Sequence, residues 1–252
     1  MTPSSELPEG LGLIGLGPSS GSVVLDVLNN SAGDPPIDRI FRQDTSVPNF
    51  ISVLLNRPND TQETYTGEFT IGEVLPLFQN ISSQPKVPVS VLNSSYSADQ
   101  HFSVLLDSDG IIGPNGSAIE ITSNATLAPS HDSHQLQVAF DTGFSLPQLP
   151  KLVVVPLSNF PCIPNAERAL CNRYVVDAIY SGAKGAKLFN YSYEVGDIWI
   201  VDCDAELNVS FKIGGNTYPI HPLDVTRPHL DDKGNTFCYG TVRVTSLQSP
   251  VC

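Results

Sequence analysis

The sequence predicts a mostly β protein, and three observations carry that expectation. Past Asn59-Asp60, apolar and polar residues alternate with a period of two over residues 65–72, 87–92, 101–106, 118–122 and 136–140, the spacing that turns one face of a strand toward a core. Clusters of Gly, Pro, Asn and Ser separate these runs, and such residues supply the backbone freedom and local hydrogen bonds of turns. Stretches with helical spacing are few and short. With 252 residues, 40% of them hydrophobic, the chain can bury a sizeable core as one large all-β domain or two small ones.

Taken in order, Glu9-Gly10-Leu11-Gly12-Leu13-Ile14-Gly15-Leu16-Gly17-Pro18 reads as an apolar strand whose glycines permit close backbone approach, or as a glycine-rich connector. Residues 22–30 read as a short amphipathic helix with Val23, Val24, Val27 and Leu28 on one face, before Asp34-Pro35-Pro36 breaks the chain. Residues 48–55 pass from helical to extended spacing and end in the polar turn Asn56-Arg57-Pro58-Asn59-Asp60. Asp107-Ser108-Asp109-Gly110 matches the opening of a calcium loop and nothing beyond it, so a hairpin turn is expected there. Residues 174–180 read as a helix despite their β-branched content. Strands are expected at residues 198–201 and 207–213, with Gly214-Gly215 turning the chain into residues 217–220.

The charge balance narrows the function. With 26 acidic against 13 basic residues the net charge is −13, which disfavours nucleic acid and anionic membranes as partners, since both reward Lys and Arg. Acidity of this degree suits work at low pH, where carboxylates protonate and self-repulsion falls. Asn29, Asn59, Asn80, Asn93, Asn115, Asn124, Asn190 and Asn208 each open an Asn-X-Ser/Thr sequon, a density that points to a secreted glycoprotein. The first residues have neither a basic start nor an apolar core, so no signal peptide is read there, and no apolar run reaches the roughly 18 residues needed to span a bilayer. A secreted character without a secretion signal suggests that a beginning is missing.

The five cysteines, Cys162, Cys171, Cys203, Cys238 and Cys252, include no Cys-x-x-Cys pair. The histidines His101, His131, His134, His221 and His229 include no His-x-x-x-His pair, so neither a metal nor another cofactor is expected. The one stretch with catalytic character is Val138-Ala139-Phe140-Asp141-Thr142-Gly143-Phe144-Ser145-Leu146-Pro147, an apolar run that delivers an aspartate into a tight turn. A carboxylate closing a buried strand is costly to desolvate and persists where hydrogen bonds hold it or chemistry needs it. The other reading of Asp141 is an ordinary strand-ending turn, which Asp, Thr and Gly all favour.

Four stretches in this order resemble the pepsin-like aspartic endopeptidases, especially secreted fungal members. Gly12-Leu13-Ile14-Gly15-Leu16-Gly17 is similar to the apolar-apolar-Gly strand that closes the first lobe's active-site motif, and Tyr65-Thr66-Gly67-Glu68-Phe69-Thr70-Ile71-Gly72 to the opening of the second lobe. Asp141-Thr142-Gly143-Phe144-Ser145 resembles the second catalytic Asp-Thr-Gly-Thr-Ser, with Phe144 where Thr or Ser is usual. Val201-Asp202-Cys203, with Val209-Ser210-Phe211-Lys212-Ile213-Gly214-Gly215 and Tyr218-Pro219-Ile220, resembles the disulfide-bearing region near the C-terminus. Glu73 stands where the second-lobe opening usually has another glycine.

The resemblance implies a pepsin-like acid protease fold, with residues 61–252 as most of the C-terminal catalytic lobe and residues 1–60 as a remnant of the N-terminal lobe and interlobe bridge. It implies acid endoproteolysis of protein or peptide substrates, outside the cell, with Asp141 as one half of an aspartate dyad, Thr142 and Gly143 supporting its carboxylate, and Ser145 meeting substrate. It also implies a Cys203–Cys238 disulfide. No second Asp-Thr-Gly or Asp-Ser-Gly precedes Gly12, no flap hairpin is found before it, and no Leu-Gly-Asp strand follows Asp141, so a chain cut at both ends is expected and the missing lobe is needed to complete the site. Tyr239-Gly240-Thr241 mimics a flap tripeptide at the wrong end of the fold. The alternative function is a non-catalytic lobe that binds peptides or proteins; a homodimer contributing Asp141 twice is a third. Residues 152–173 read as an insertion foreign to the fold, a retained intron, because Leu146-Pro147-Gln148-Leu149-Pro150-Lys151 would run naturally into the 174–180 helix without them. Their prolines Pro156, Pro161 and Pro164 discourage regular structure. A surface loop stapled by Cys162 and Cys171 is the competing reading.

Overall fold

A computed structural model describes residues 14–57, 67–92, 100–123, 133–142, 146–150, 153–155, 173–192, 196–231 and 233–245. The chain is mostly β, built from several small sheets whose pairings are antiparallel with a single parallel exception among the described strands, and it divides into two compact units between Lys86 and Val87. This division falls later in the chain than the lobe boundary expected after Asp60, and the strand expected to open the second lobe, β2 (Glu68–Ile71), pairs with β1 (Ile51–Leu54) inside the first unit.

The first unit begins with no regular structure over Ile14, Gly15 and Leu16, where a strand was one expectation; residues 9–13 lie outside the described residues. Helix α1 (Val23–Leu28) forms where the apolar spacing puts it. The Ser22 Oγ accepts the Leu25 N–H at 3.2 Å to cap its start. Asn29 stops it in the left-handed region at φ 47. Gly33, in the turn that follows, packs so closely on α1 that a Cβ there would lie 2.5 Å from the Leu25 Cα. Helix α2 (Pro36–Gln43) starts with proline at its first turn, where a missing N–H costs nothing. Ile37 is the only large hydrophobic side chain buried among the described residues of this unit. The amphipathic face of α1 is on the surface instead, with Val27 75% exposed, and Val53 and Phe69, opposite each other across β1 and β2, are exposed too.

The second unit holds the core. Strand β3 (Ser103–Leu105) pairs with β6 (Gln137–Ala139), and β4 (Ile111–Ile112) flanks the hairpin of β12 (Ser210–Ile213) and β13 (Asn216–Pro219). Gly214 and Gly215, at φ 58 and 79, make the turn of that hairpin, a conformation glycine adopts without strain. The Asp107 carboxylate accepts both their N–H groups, at 2.9 and 2.8 Å, and Lys212 Nζ meets Asp109 at 2.6 Å, so the expected Asp107–Gly110 turn clasps its neighbour through its acids. A four-stranded sheet runs β10 (Lys187–Ser192), β11 (Gly196–Val201), β15 (Thr236–Gly240), β14 (Thr226–Leu230). Strands β5 (Thr122–Ser123), β8 (Val153–Val155) and β9 (Arg173–Tyr174) form a small sheet, and β7 (Gln148–Pro150) lies parallel to β16 (Arg243–Thr245). The ends of the expected insertion are thus strands, one of them paired to β5; residues 156–172, with Cys162 and Cys171, lie outside the described residues.

Helices α3 (Val175–Tyr180) and α4 (Pro222–Val225) pack against these sheets. The fully buried Leu106, Ile111, Val175, Tyr180, Val209 and Val225 form the centre of one cluster. Tyr180 is the pin of this core. Its hydroxyl donates to the Val225 carbonyl at 2.7 Å and accepts the Val242 N–H at 3.2 Å, and burial pushes its phenol above the ordinary value. Its ring lies directly on Gly240. The expected strand at residues 87–92 does not form. Pro88 has no N–H for a ladder, and the Leu92 N–H is met at 2.8 Å by the Gln100 side chain instead of a backbone carbonyl.

Candidate functional site

The turn carrying Asp141 is bracketed by two anchored strands. On the way in, β6 is held by β3 in the register Ser103↔Ala139, Val104↔Val138 and Leu105↔Gln137, and the Phe140 N–H reaches the Phe102 carbonyl at 3.4 Å. On the way out, the Pro147 carbonyl accepts the Arg243 N–H at 2.9 Å, and β7 then follows β16 with Gln148 opposite Arg243. Asp141 and Thr142 sit between these anchors and are exposed; Gly143 and Ser145 lie outside the described residues.

The strand that leads to Asp141 is less covered than its sequence predicts. β6 is half-buried rather than buried, Phe140 is 65% exposed and Asp141 is exposed, so the aspartate does not close a buried strand. The apolar run Val138-Ala139-Phe140 suggested a buried strand because hydropathy alone does not tell which side of a strand is covered.

Two supports of this turn carried no signal in the sequence. Beneath it, fully buried Ser103 accepts at its Oγ from the Gln137 Nε2 at 2.8 Å, tying β6 to β3 by side chains as well as backbone. The Gln137 Oε1 is buried and has no partner among the described residues. Behind the exit strand, the Arg243 guanidinium lies 5.0 Å over the Tyr239 ring, with Nε and Nη1 buried and without an acceptor among the described residues. Its burial lowers its pKa, the Tyr239 and Tyr180 phenols opposing that shift. Register brings these residues together across long sequence separations, which local spacing cannot reveal.

The expected cysteine pair is formed. Cys203, just beyond β11, bonds Cys238 on β15, with sulfurs 2.11 Å and Cα atoms 4.9 Å apart. β11 and β15 are neighbours in register, Val201 facing Cys238, which carries the two cysteines to bonding distance. No group of His, Cys, Asp and Glu side chains among the described residues could hold a metal ion, and no described helix is long and apolar enough to cross a membrane. Comparison with known proteins adds no relative: no protein-family model matches the chain, and no curated protein matches it either.

Proposed function

We propose that this chain is the greater part of the second lobe of a pepsin-like aspartic endopeptidase, acting on peptide bonds at acid pH once the first lobe supplies the second carboxylate. The observation that carries the reading is that Asp141 and Thr142, the first two residues of the Asp-Thr-Gly motif, are solvent-exposed and lie between anchored strands that would fix their position. In such a site two close carboxylates share a proton because ionising both is unfavourable. One takes a proton from a bound water as it attacks the peptide carbonyl carbon, and the other gives a proton to the carbonyl oxygen. Asp141 would be one of the two, with Thr142 and Gly143 holding its carboxylate and Ser145 meeting substrate.

One further feature supports a lobe that is completed by other polypeptide, and another its location. The first unit buries Ile37 alone among its large described hydrophobic side chains and exposes Val23, Val24, Val27, Leu77 and Ile81. A unit of that size normally needs more apolar burial to offset its chain entropy. The sequon asparagines Asn29, Asn80, Asn115 and Asn208 are all exposed, which suits the extracellular location proposed here.

The test is reconstitution. The chain is refolded with, or fused behind, the first lobe of a fungal pepsin-like protease, and cleavage of a denatured protein substrate is followed at acid pH. We expect no cleavage by the chain alone, cleavage by the pair, and loss of about 10⁴-fold or more in the pair carrying Asp141→Asn, since a member of a catalytic unit is removed. Undiminished cleavage by that variant would show that Asp141 is not the catalytic carboxylate. Peptide binding without cleavage by a correctly folded pair would favour a non-catalytic binding lobe.

A further inference from the structure

The sequon Asn115-Gly116-Ser117 occupies the tip of a closed hairpin loop. The chain leaves β4 at Ile112, turns through Gly113-Pro114-Asn115-Gly116, and returns at Ala118, which bridges back to Ile112. The Gly116 N–H donates to the Gly113 carbonyl at 2.9 Å and the Gly113 N–H to the Ser117 carbonyl at 2.9 Å. Gly116 sits at φ 77, a left-handed position, and a Cβ there would meet nothing within 4 Å, so the middle of the sequon is unstrained and open. Within this loop the Asn115 Oδ1 accepts the Ser117 N–H at 3.0 Å, and Asn115 is exposed.

That hydrogen bond prepares the carboxamide for substitution at nitrogen. An amide nitrogen is a poor nucleophile because its lone pair is delocalised into the carbonyl, and reaction requires stabilising negative charge on oxygen as the N–H proton leaves. A backbone N–H aimed at Oδ1 does this, as a donor does wherever charge develops on oxygen. No such bond is seen at Asn29, Asn80 or Asn208 among the described residues. Asn29 is the left-handed stop of α1, and the neighbouring Asn30 side chain accepts from Ala32. Asn80 lies inside the 3-10 segment Pro76–Ser83, its carbonyl accepting the Ser83 hydroxyl at 2.7 Å. Asn190 is paired with Asp197 across β10 and β11, and Asn208 is followed by Val209, 1% exposed in the core.

We propose that Asn115 is an N-glycosylation site, and the most readily modified of the sequons at Asn29, Asn80, Asn115, Asn190 and Asn208. The co-substrate is a polyprenyl-pyrophosphate-linked oligosaccharide. The Asn115 Nδ2 bonds to C1 of the first sugar, the bond from C1 to the pyrophosphate oxygen breaks with its electron pair leaving on the lipid pyrophosphate, and the Nδ2 proton passes to a base of the transferase. All the hydrogen bonds of the turn fall within residues 113–117, so it can form in a nascent chain before the core does. The proposal rests on the secretory reading of the sequons and is independent of proteolysis.

The full chain is expressed behind a cleavable secretion leader in a eukaryotic host. Total rather than secreted material is deglycosylated enzymatically in heavy-oxygen water, and the labelled aspartates are counted by peptide mass spectrometry. Because transfer precedes folding, occupancy is readable even where a variant fails to leave the cell. We expect Asn115 to show higher occupancy than the other four, and Asn115→Gln to lose one glycan. Pro114→Gly keeps the sequon while loosening the turn by the stiffness a proline provides, and should lower occupancy at Asn115 alone, by about twofold or more. An unmodified Asn115, or one occupied less than Asn80, overturns the proposal. Unchanged occupancy in Pro114→Gly overturns the role given to the turn.

Discussion

Replacing Gly240 by alanine should be among the most damaging single-methyl changes available in this chain. A Cβ at Gly240 would lie 2.5 Å from the Tyr180 Cζ and 2.7 and 2.8 Å from the adjacent ring carbons, about 1 Å inside ordinary carbon contact. The ring has no room to yield. Tyr180 is fully buried, and its hydroxyl is tied to the Val225 carbonyl at 2.7 Å and to the Val242 N–H at 3.2 Å. Overpacking of this kind costs about 1–3 kcal/mol, and letting the ring slide gives up hydrogen bonds worth about 1 kcal/mol each, so roughly 2–5 kcal/mol is at stake. For a chain of this size that is a fall in Tm of about 4–20 °C. Thermal unfolding of Gly240→Ala followed by circular dichroism measures it. The double variant with Tyr180→Phe sharpens the test, because an untethered ring can move aside and the two losses should sum to less than their separate values. A Gly240→Ala protein melting within a degree of the parent would refute the reasoning.

Two further outcomes follow from the same region and from the surface acids. Breaking the Cys203–Cys238 bond by Cys203→Ser together with Cys238→Ser should cost about 3–4 kcal/mol on the chain-entropy model, given its sequence separation of 35, with the bonded peptide pair visible by non-reducing mass spectrometry of the parent. The carboxylates of Asp44, Asp109, Asp204 and Asp231 are held below their ordinary values by the Ser46 hydroxyl, Lys212, Lys184 and Asn235 respectively. A depressed folded pKa gives stability that is complete above the unfolded pKa and disappears as pH falls through the folded one, so Tm should hold down to about pH 4 and decline below it. A Tm that rises continuously from pH 5 to pH 2 would mean that relief of the −13 net charge outweighs these pairs.

The parts of the fold that were legible in the sequence are those fixed by neighbours in the chain. The apolar spacing within residues 22–30 predicts α1, which the Ser22 Oγ caps; Gly214-Gly215 predicts the β12–β13 turn, and both residues take positive φ. Residues 87–92 defeated the alternation rule because proline removes a donor that hydropathy does not count. What α1 would pack against was equally hidden: its apolar spacing is real, and its Val27 is on the surface. At the candidate site the Asp141 turn was visible as a motif, whereas Ser103, Gln137 and Arg243 enter only through strand register. Tyr239-Gly240-Thr241, set aside as a chance likeness, has structural work of its own. Gly240 receives the Tyr180 ring, and Thr241 donates from its N–H to the Val225 carbonyl at 3.0 Å and from its hydroxyl to the Asp224 carbonyl.

The parallel pairing of β7 with β16 sets a timetable for synthesis. A ribosome delivers β6 and its partner β3 early and close together, so the entrance to the Asp141 turn can be settled while most of the unit is still unmade. The exit cannot, because β7 has no described partner but β16, whose Arg243 is among the last described residues to emerge. Until then the aspartate's turn has one fixed end and one loose end, and its final geometry waits on the slow, non-local closure that parallel pairing demands. A nascent chain stopped before Arg243 would therefore carry every residue of the Asp-Thr-Gly motif without the strand that holds its far side.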